Sequence, residues 1–331
     1  MANAACMSSR TLALSSSHLK NQTYGTKVLP VNWAMAKEVG PLRYALRRLA
    51  WRARSRGGAA RIPYVLPSGQ RIMLSRRSPF AADIYCTRGR IDWGSEQLLI
   101  AYLRQLDFKG CCYDVGGNMG YYSTLLAAVS DHVFAFEPDE RNHDDLLAQG
   151  ISNLTLVRQA VSDRCGMARF NVSGASTVGH LSNDAAGAGS IEVETITLDA
   201  FKQSRPPDER VMAVKVDIEG HEISCLHGAE QMVGRDRPVF LIEFATGAGC
   251  PNSFPALGAF VSRHRYDIFA MTRRPRGLAF RTLLEQTTAT SLPQQDHKMI
   301  FLVPEEDTYF RSQRDAGFCF ENMNPVKIGC P

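Results

Sequence analysis

Between residues 111 and 244, short apolar runs alternate with amphipathic stretches, and this alternation restricts the possible folds more than any other feature. Runs at 111–115, 132–136, 154–161, 211–218 and 238–244 read as buried strands. Stretches at 121–129, 140–149 and 222–233 carry helical spacing of apolar residues. Strands joined through helices cannot pair as tight hairpins. They lie parallel, with the helices covering both faces of the sheet. Shorter strands at 167–172 and 191–196 flank a Gly/Ala/Ser-rich loop at 173–190. A helix at 254–264 and two last strands at 268–271 and 299–303 complete the pattern. The expected class is α/β with a mostly parallel sheet.

Three divisions follow. Residues 1–77 are an N-terminal extension, 78–304 the principal domain and 305–331 a tail. Residues 1–40 are rich in Ser, Asn, Thr and Ala and show no sustained period. A helix follows at 41–56, with Leu42, Leu46 and Leu49 in one stripe among Arg43, Arg47, Arg48, Arg52, Arg54 and Arg56. Basic amphipathic helices can lie on anionic membranes. The plainer reading, a helix packed on the domain with a solvated basic face, is preferred on sequence alone. Residues 61–74 read as a hairpin turning at Pro67, Ser68 and Gly69.

Composition removes several classes. A net charge of +5 is too mild for a nucleic-acid footprint. Nine cysteines without a CxxC pair argue against a disulfide framework or a zinc ribbon. No apolar run approaches the roughly 20 residues that span a bilayer. A cytoplasmic protein is expected, with peripheral contact at the inner membrane face open through 41–56.

The sharpest local signal is Asp114-Val115-Gly116-Gly117-Asn118-Met119-Gly120, where a buried strand turns into a helix. Glycines let the backbone approach a ligand closely. Their spacing is not GxGxxG, which weakens a dinucleotide reading. An acid just before the glycines suits a ligand with an ammonium group. Glu137 ends the next strand, where α/β nucleotide binders place a carboxylate for ribose hydroxyls. The bland alternative is an acid stabilised at a helix start. Pro138 follows it, and Ser162 and Asp163 sit after the third strand. There Asp163 can accept from an adenine amino group while Val161 and Pro138 pack on the ring. No metal site is assigned.

The catalytic edge is Lys215-Val216-Asp217-Ile218-Glu219-Gly220-His221. In an extended stretch alternate residues share a face, so Asp217, Glu219 and His221 converge at the carboxyl end of the sheet. His221 is the candidate general base, since its ordinary pKa lies near neutrality. Glu243, ending the fifth strand, is placed in the same cluster. A hard divalent ion held by these carboxylates is the lesser alternative.

Together these residues resemble the FkbM-type methyltransferase family. The matching pieces are DVGGNMGYYS (114–123), AFEPD (135–139), AVSD (160–163), VETITLDAF (193–201), KVDIEGHE (215–222) and LIEF (241–244), with a lead-in at 78–99. The resemblance implies a Rossmann-like methyltransferase fold with a seven-stranded sheet, using S-adenosyl-L-methionine for O-methylation of a sugar, glycolipid or related natural product. Carried over by position, Asp114, Gly116, Asn118, Gly120, Glu137 and Asp163 would bind the cofactor. Asp217, Glu219 and His221 would border the acceptor. Gly117 stands where the family usually has Ala. Two rivals remain, an NAD-dependent Rossmann oxidoreductase and a catalytically silent cofactor-binding domain.

Overall fold

Strands rich in Val, Phe, Ile and Cys form the centre of one sheet. β3 (Cys111–Val115) and β10 (Val211–Val216) are buried at every position. That is the requirement for a strand covered on both faces, where alternation of polar and apolar residues would leave charges under a helix. The structure, a computed structural model, describes residues 36, 39–76, 78–172, 179–182, 190–244, 253–276, 279–321 and 324–325.

The order from one edge is β5 (Leu154–Val157), β4 (His132–Phe136), β3, β10 and β11 (Val239–Glu243), all parallel. β14 (His297–Pro304) then runs antiparallel to β11, and β12 (Tyr266–Arg276) antiparallel to β14. These seven strands, with one reversed, match the expected mostly parallel sheet. Helices cover both faces, which divide the core in two. Cys112, Val133, Ala213, Leu241 and Phe301 share one buried cluster, and Tyr113, Phe134, Val214, Phe240 and Ile300 share the other.

Chain order in the sheet reverses between β3 and β10. After β3 the chain moves outward through β4 and β5; later it returns on the other side of β3 as β10 and β11. A crevice opens at the carboxyl ends of strands at such a switch point, because the helices leaving the two strands lie on opposite faces. Gly116 sets its base. Its φ is +81°, and a Cβ there would lie 2.0 Å from the Asp217 carbonyl oxygen. Only a residue without a side chain permits the ends of β3 and β10 to meet so closely.

Several boundaries differ from the pattern reading. The run 154–161 splits into β5 and β6 (Ala160–Val161), and β6 belongs to a second sheet with β9 (Ser190–Ile196), β7 (Gly166–Val172) and β8 (Gly179–Ser182). All of β8 falls inside the stretch read as a loop; 173–178 and 183–189 of that stretch lie outside the described residues. The helix read at 222–233 breaks near Gly228, whose Cβ would sit 2.2 Å from the Ser162 carbonyl oxygen. The largest omission is β13 (Ala279–Thr287), which pairs with an extended β12 and carries the sheet on to β15 (Cys319–Glu321) and β16 (Asn324–Pro325). Arginines at 273, 274, 276 and 281 obscured this hairpin, since they interrupt the apolar periodicity of its strands.

The flanks join the same body. The helix α1 (Pro41–Ser55) forms as expected but buries Tyr44 and Trp51, not its leucines. Those rings meet α2 (Pro79–Thr87), where Tyr44 Oη donates to Asp83 and Trp51 lies 5.4 Å from Tyr85. The hairpin expected at 61–74 is present as β1 (Arg61–Val65) and β2 (Arg71–Ser75). Beyond Pro304, α10 (Tyr309–Asp315) inserts Phe310, fully buried, 4.8 Å from Phe301 and 5.4 Å from Tyr102.

Two stability experiments follow. Phe310→Ala should lower the unfolding free energy by about 3–5 kcal/mol in urea titrations. Gly116→Ala should cost about 3 kcal/mol or more, from the left-handed φ and the clash with Asp217. A loss below 1 kcal/mol in either variant would contradict the packing described.

Candidate active site

The crevice at the switch point is a cleft of about 260 Å³. One wall is the glycine turn. The N–H groups of Gly116 and Gly117 both donate to the Phe136 carbonyl at 3.0 Å, which ties the turn to the end of β4. Asn118 takes φ +46°, and its N–H donates to Glu137 Oε2 at 2.7 Å. Asp139 N–H donates to Glu137 Oε1 at 2.9 Å. Glu137 is therefore fixed at the cleft edge by two backbone donors. Burial still pushes its pKa up to about 7. Asp139 caps the helix α5 (Glu140–Leu147) through Arg141 N–H. Gly117 is packed tightly: a Cβ would lie 3.0 Å from Leu146 Cδ1 and 3.2 Å from Ala135 Cβ.

Pro138, Ala160, Val161 and Phe170 form an apolar wall beside Glu137. Asp114, Gly120, Ser162 and Asp163 do not line the cleft, whereas the other expected residues do. Asp114 is wholly buried beneath it. Ser123 Oγ donates to Asp114 Oδ2 at 2.6 Å, and Lys215 Nζ lies 3.5 Å from Oδ1. Burial raises its pKa, and Lys215 opposes the rise. Gly120 opens the helix α4 (Tyr121–Ala127) with φ +87°.

Ser162 and Asp163 act on His221. Ser162 Oγ donates to Asp163 Oδ1 at 3.0 Å and lies 2.9 Å from His221 Nε2. A serine has one hydroxyl proton. With that proton committed to Asp163, His221 Nε2 must be the donor to Oγ, and Nδ1 keeps the lone pair. Burial lowers the His221 pKa, so the ring is neutral near pH 7. The structure thus joins His221 to the Ser162 side of the cleft, and it brings Asp217, Glu219 and Glu243 together at the other end.

In that second group the carboxylate oxygens of Asp217, Glu219 and Glu243 lie within 4.8 Å of one another. Three such ligands can meet a hard divalent ion. Two lysines beside them already offset the charge. Lys215 is buried, donates to the Gly116 carbonyl at 2.9 Å and stands 3.6 Å from Asp217 Oδ2. Burial disfavours its ammonium form, but Asp217 and Asp114 outweigh this and raise its pKa. Lys298, on β14, pairs with Asp92 at 2.6 Å, and Tyr122 Oη donates to the other Asp92 oxygen at 2.6 Å.

The carboxyls at this end differ in state. Burial, reinforced by the charge of Asp217, raises Glu243 well above the usual carboxylate range. Burial also works against Asp217, but Lys215, a hydrogen bond from Glu243 and Lys298 together hold it below that range. Glu243 is then the protonated partner donating to an ionised Asp217. Sequence reading gave no role to Lys215, Lys298, Asp92 or Tyr122. Lys215 carried a usable signal, a lysine inside the apolar run VMAVKV. Lys298 carried none, because it reaches the cleft only through the antiparallel return of β14.

Residues 114–268 match the family described as the Methyltransferase FkbM domain. The hexuronic acid methyltransferase AglP of Haloferax volcanii is 28% identical over 169 residues, covering 46% of this chain and 69% of that protein. Among solved structures, the methyltransferase FkbM from Methylobacillus flagellatus KT aligns with 15% identity and a TM-score of 0.37, over 68% of this chain. The alignment spans 55% of that longer chain. An rRNA methylase from Streptococcus thermophilus aligns with 13% identity and a TM-score of 0.35, over 62% of this chain and 92% of its own. The glycine turn, the acid at the end of β4 and the charged edge of β10 all lie inside the segment that matches the FkbM methyltransferase domain.

Proposed function

We propose that the chain is an S-adenosylmethionine-dependent O-methyltransferase whose acceptor is a sugar hydroxyl. The observation that carries this reading is Glu137, held at the cleft edge between the glycine turn and the Pro138–Val161 wall. Each of its oxygens accepts one backbone N–H. The Asn142 side chain adds a third hydrogen bond, and a carboxylate has about four lone-pair sites, so capacity remains for a hydroxyl donor such as one of a ribose. The apolar wall suits a flat heterocycle, and the ionised Asp217 suits a cationic group. These features fit the cofactor.

When bound, S-adenosylmethionine supplies an electrophilic methyl group. The chain's own residues must align the acceptor oxygen and remove its proton. His221 does the second: Ser162 and Asp163 hold its Nε2–H, which leaves Nδ1 as the basic atom. Asp217 and Glu243 do the first: with one carboxyl proton held between them, their remaining oxygen lone pairs accept hydrogen bonds from polyol hydroxyls. The name of the Haloferax volcanii relative, which concerns a hexuronic acid, supports a carbohydrate acceptor.

Calorimetry should detect binding of S-adenosylmethionine and not of NAD. Glu137→Ala should weaken that binding roughly tenfold to hundredfold, the worth of hydrogen bonds to a charged group. Absence of any affinity for S-adenosylmethionine in the unaltered protein sinks the proposal. His221→Ala should lower kcat by about 10²–10⁴ with cofactor affinity unchanged. Because the base works deprotonated and its pKa is lowered from 6.5, kcat should rise with pH through a midpoint below that value. A plateau reached only above pH 8, or full turnover in the variant, removes His221 from the role.

A further inference from the structure

The helix α1 presents its apolar stripe to solvent. Leu42, Leu46 and Leu49 are 74%, 58% and 59% exposed. At 3.6 residues per turn these three fall on one face together with Ala53, opposite Tyr44 and Trp51. Tyr44 and Trp51 do the packing against α2, so the leucines are not needed to hold the helix in place. Arg43, Arg52 and Arg56 are also exposed, with Arg43 on one flank of the stripe and Arg52 and Arg56 on the other. Arg47 turns inward, where it donates to the Tyr85 carbonyl and to Tyr64 Oη. Residues 41–56 contain six arginines and no acid.

We infer that α1 is a docking surface for an anionic lipid bilayer. Three adjacent exposed leucines on one short helix are costly in water, and an apolar stripe with cationic flanks is the pattern of a helix lying in a membrane interface. Leucine side chains enter the acyl boundary while the flanking guanidinium groups meet lipid phosphates. The charge of the face is complementary to that surface and not to a second copy of itself, since the arginines of two such helices would repel. No helix among the described residues is long and apolar enough to cross a membrane. α2, against which α1 packs, also supplies Phe80 to the cleft wall. The inference does not depend on the proposed reaction.

The test is co-sedimentation of the full chain with vesicles of phosphatidylcholine alone and of phosphatidylcholine with one-quarter phosphatidylglycerol. The protein should pellet with the anionic vesicles and remain in solution with the neutral ones. The combined variant Leu42→Ser, Leu46→Ser, Leu49→Ser should lose at least tenfold in partitioning, with an unchanged melting temperature. Arg43→Gln, Arg52→Gln and Arg56→Gln should each weaken partitioning about fivefold. Three outcomes overturn the inference. Equal pelleting of the unaltered protein and the leucine variant removes the stripe from any role. A dimer in solution that the leucine variant dissociates, without vesicle binding, assigns the stripe to a second copy. A lowered melting temperature in that variant, again without vesicle binding, assigns it to cover by residues 1–31 of this chain.

Discussion

Burying an ammonium group costs several kcal/mol unless carboxylates and carbonyls surround it, and Lys215 meets that condition from two strands at once. It reaches the Gly116 carbonyl at the end of β3 and lies between Asp114 and Asp217. The glycine turn, the close contact of β3 with β10 and the ionised state of Asp217 all depend on this arrangement. A Cβ at Gly116 would push the two strands apart, and the ammonium would then lose its carbonyl partner. Asp114 is therefore part of the foundation of the site. Its carboxylate is committed to Ser123 and Lys215 below the cleft floor.

A second constraint links the turn to the next strand. The Phe136 carbonyl accepts from Gly116 and Gly117, and Glu137 accepts from Asn118. The turn and the acid thus fix each other, and the cleft edge is preorganised before any ligand arrives. Preorganisation matters for group transfer because much of the rate comes from alignment paid for in folding. At the far end Glu243 and Asp217 share one proton, so the pair is held together and its remaining lone pairs accept from hydroxyl groups. His221 stands apart from that pair, on the hydrogen-bonded arm formed by Ser162 and Asp163.

Much of this was legible in the residues. Continuous apolar runs gave β3, β4, β10 and β11, because a strand buried on both faces has no polar alternation to confuse it. The glycines and Glu137 were visible because their spacing follows from one strand–helix–strand unit. The β12–β13 hairpin was not visible, since its arginines interrupt the apolar periodicity that marks a strand. That α1 packs on the domain was the preferred reading, but the face it buries was not read. Leucine spacing pointed to one face, whereas two large rings, Tyr44 and Trp51, found partners on α2 and took the buried side.

The sequence by itself determined the α/β class, the order of the central elements and the local pieces of the site, because each rests on contacts between residues close in the chain. Tertiary structure alone decided which carboxylates carry a proton, that Asp114 lies under the cleft, and that Lys298 and Asp92 border it. Those properties arise from burial and from charges brought together across more than a hundred residues, and no local pattern encodes the distance between them.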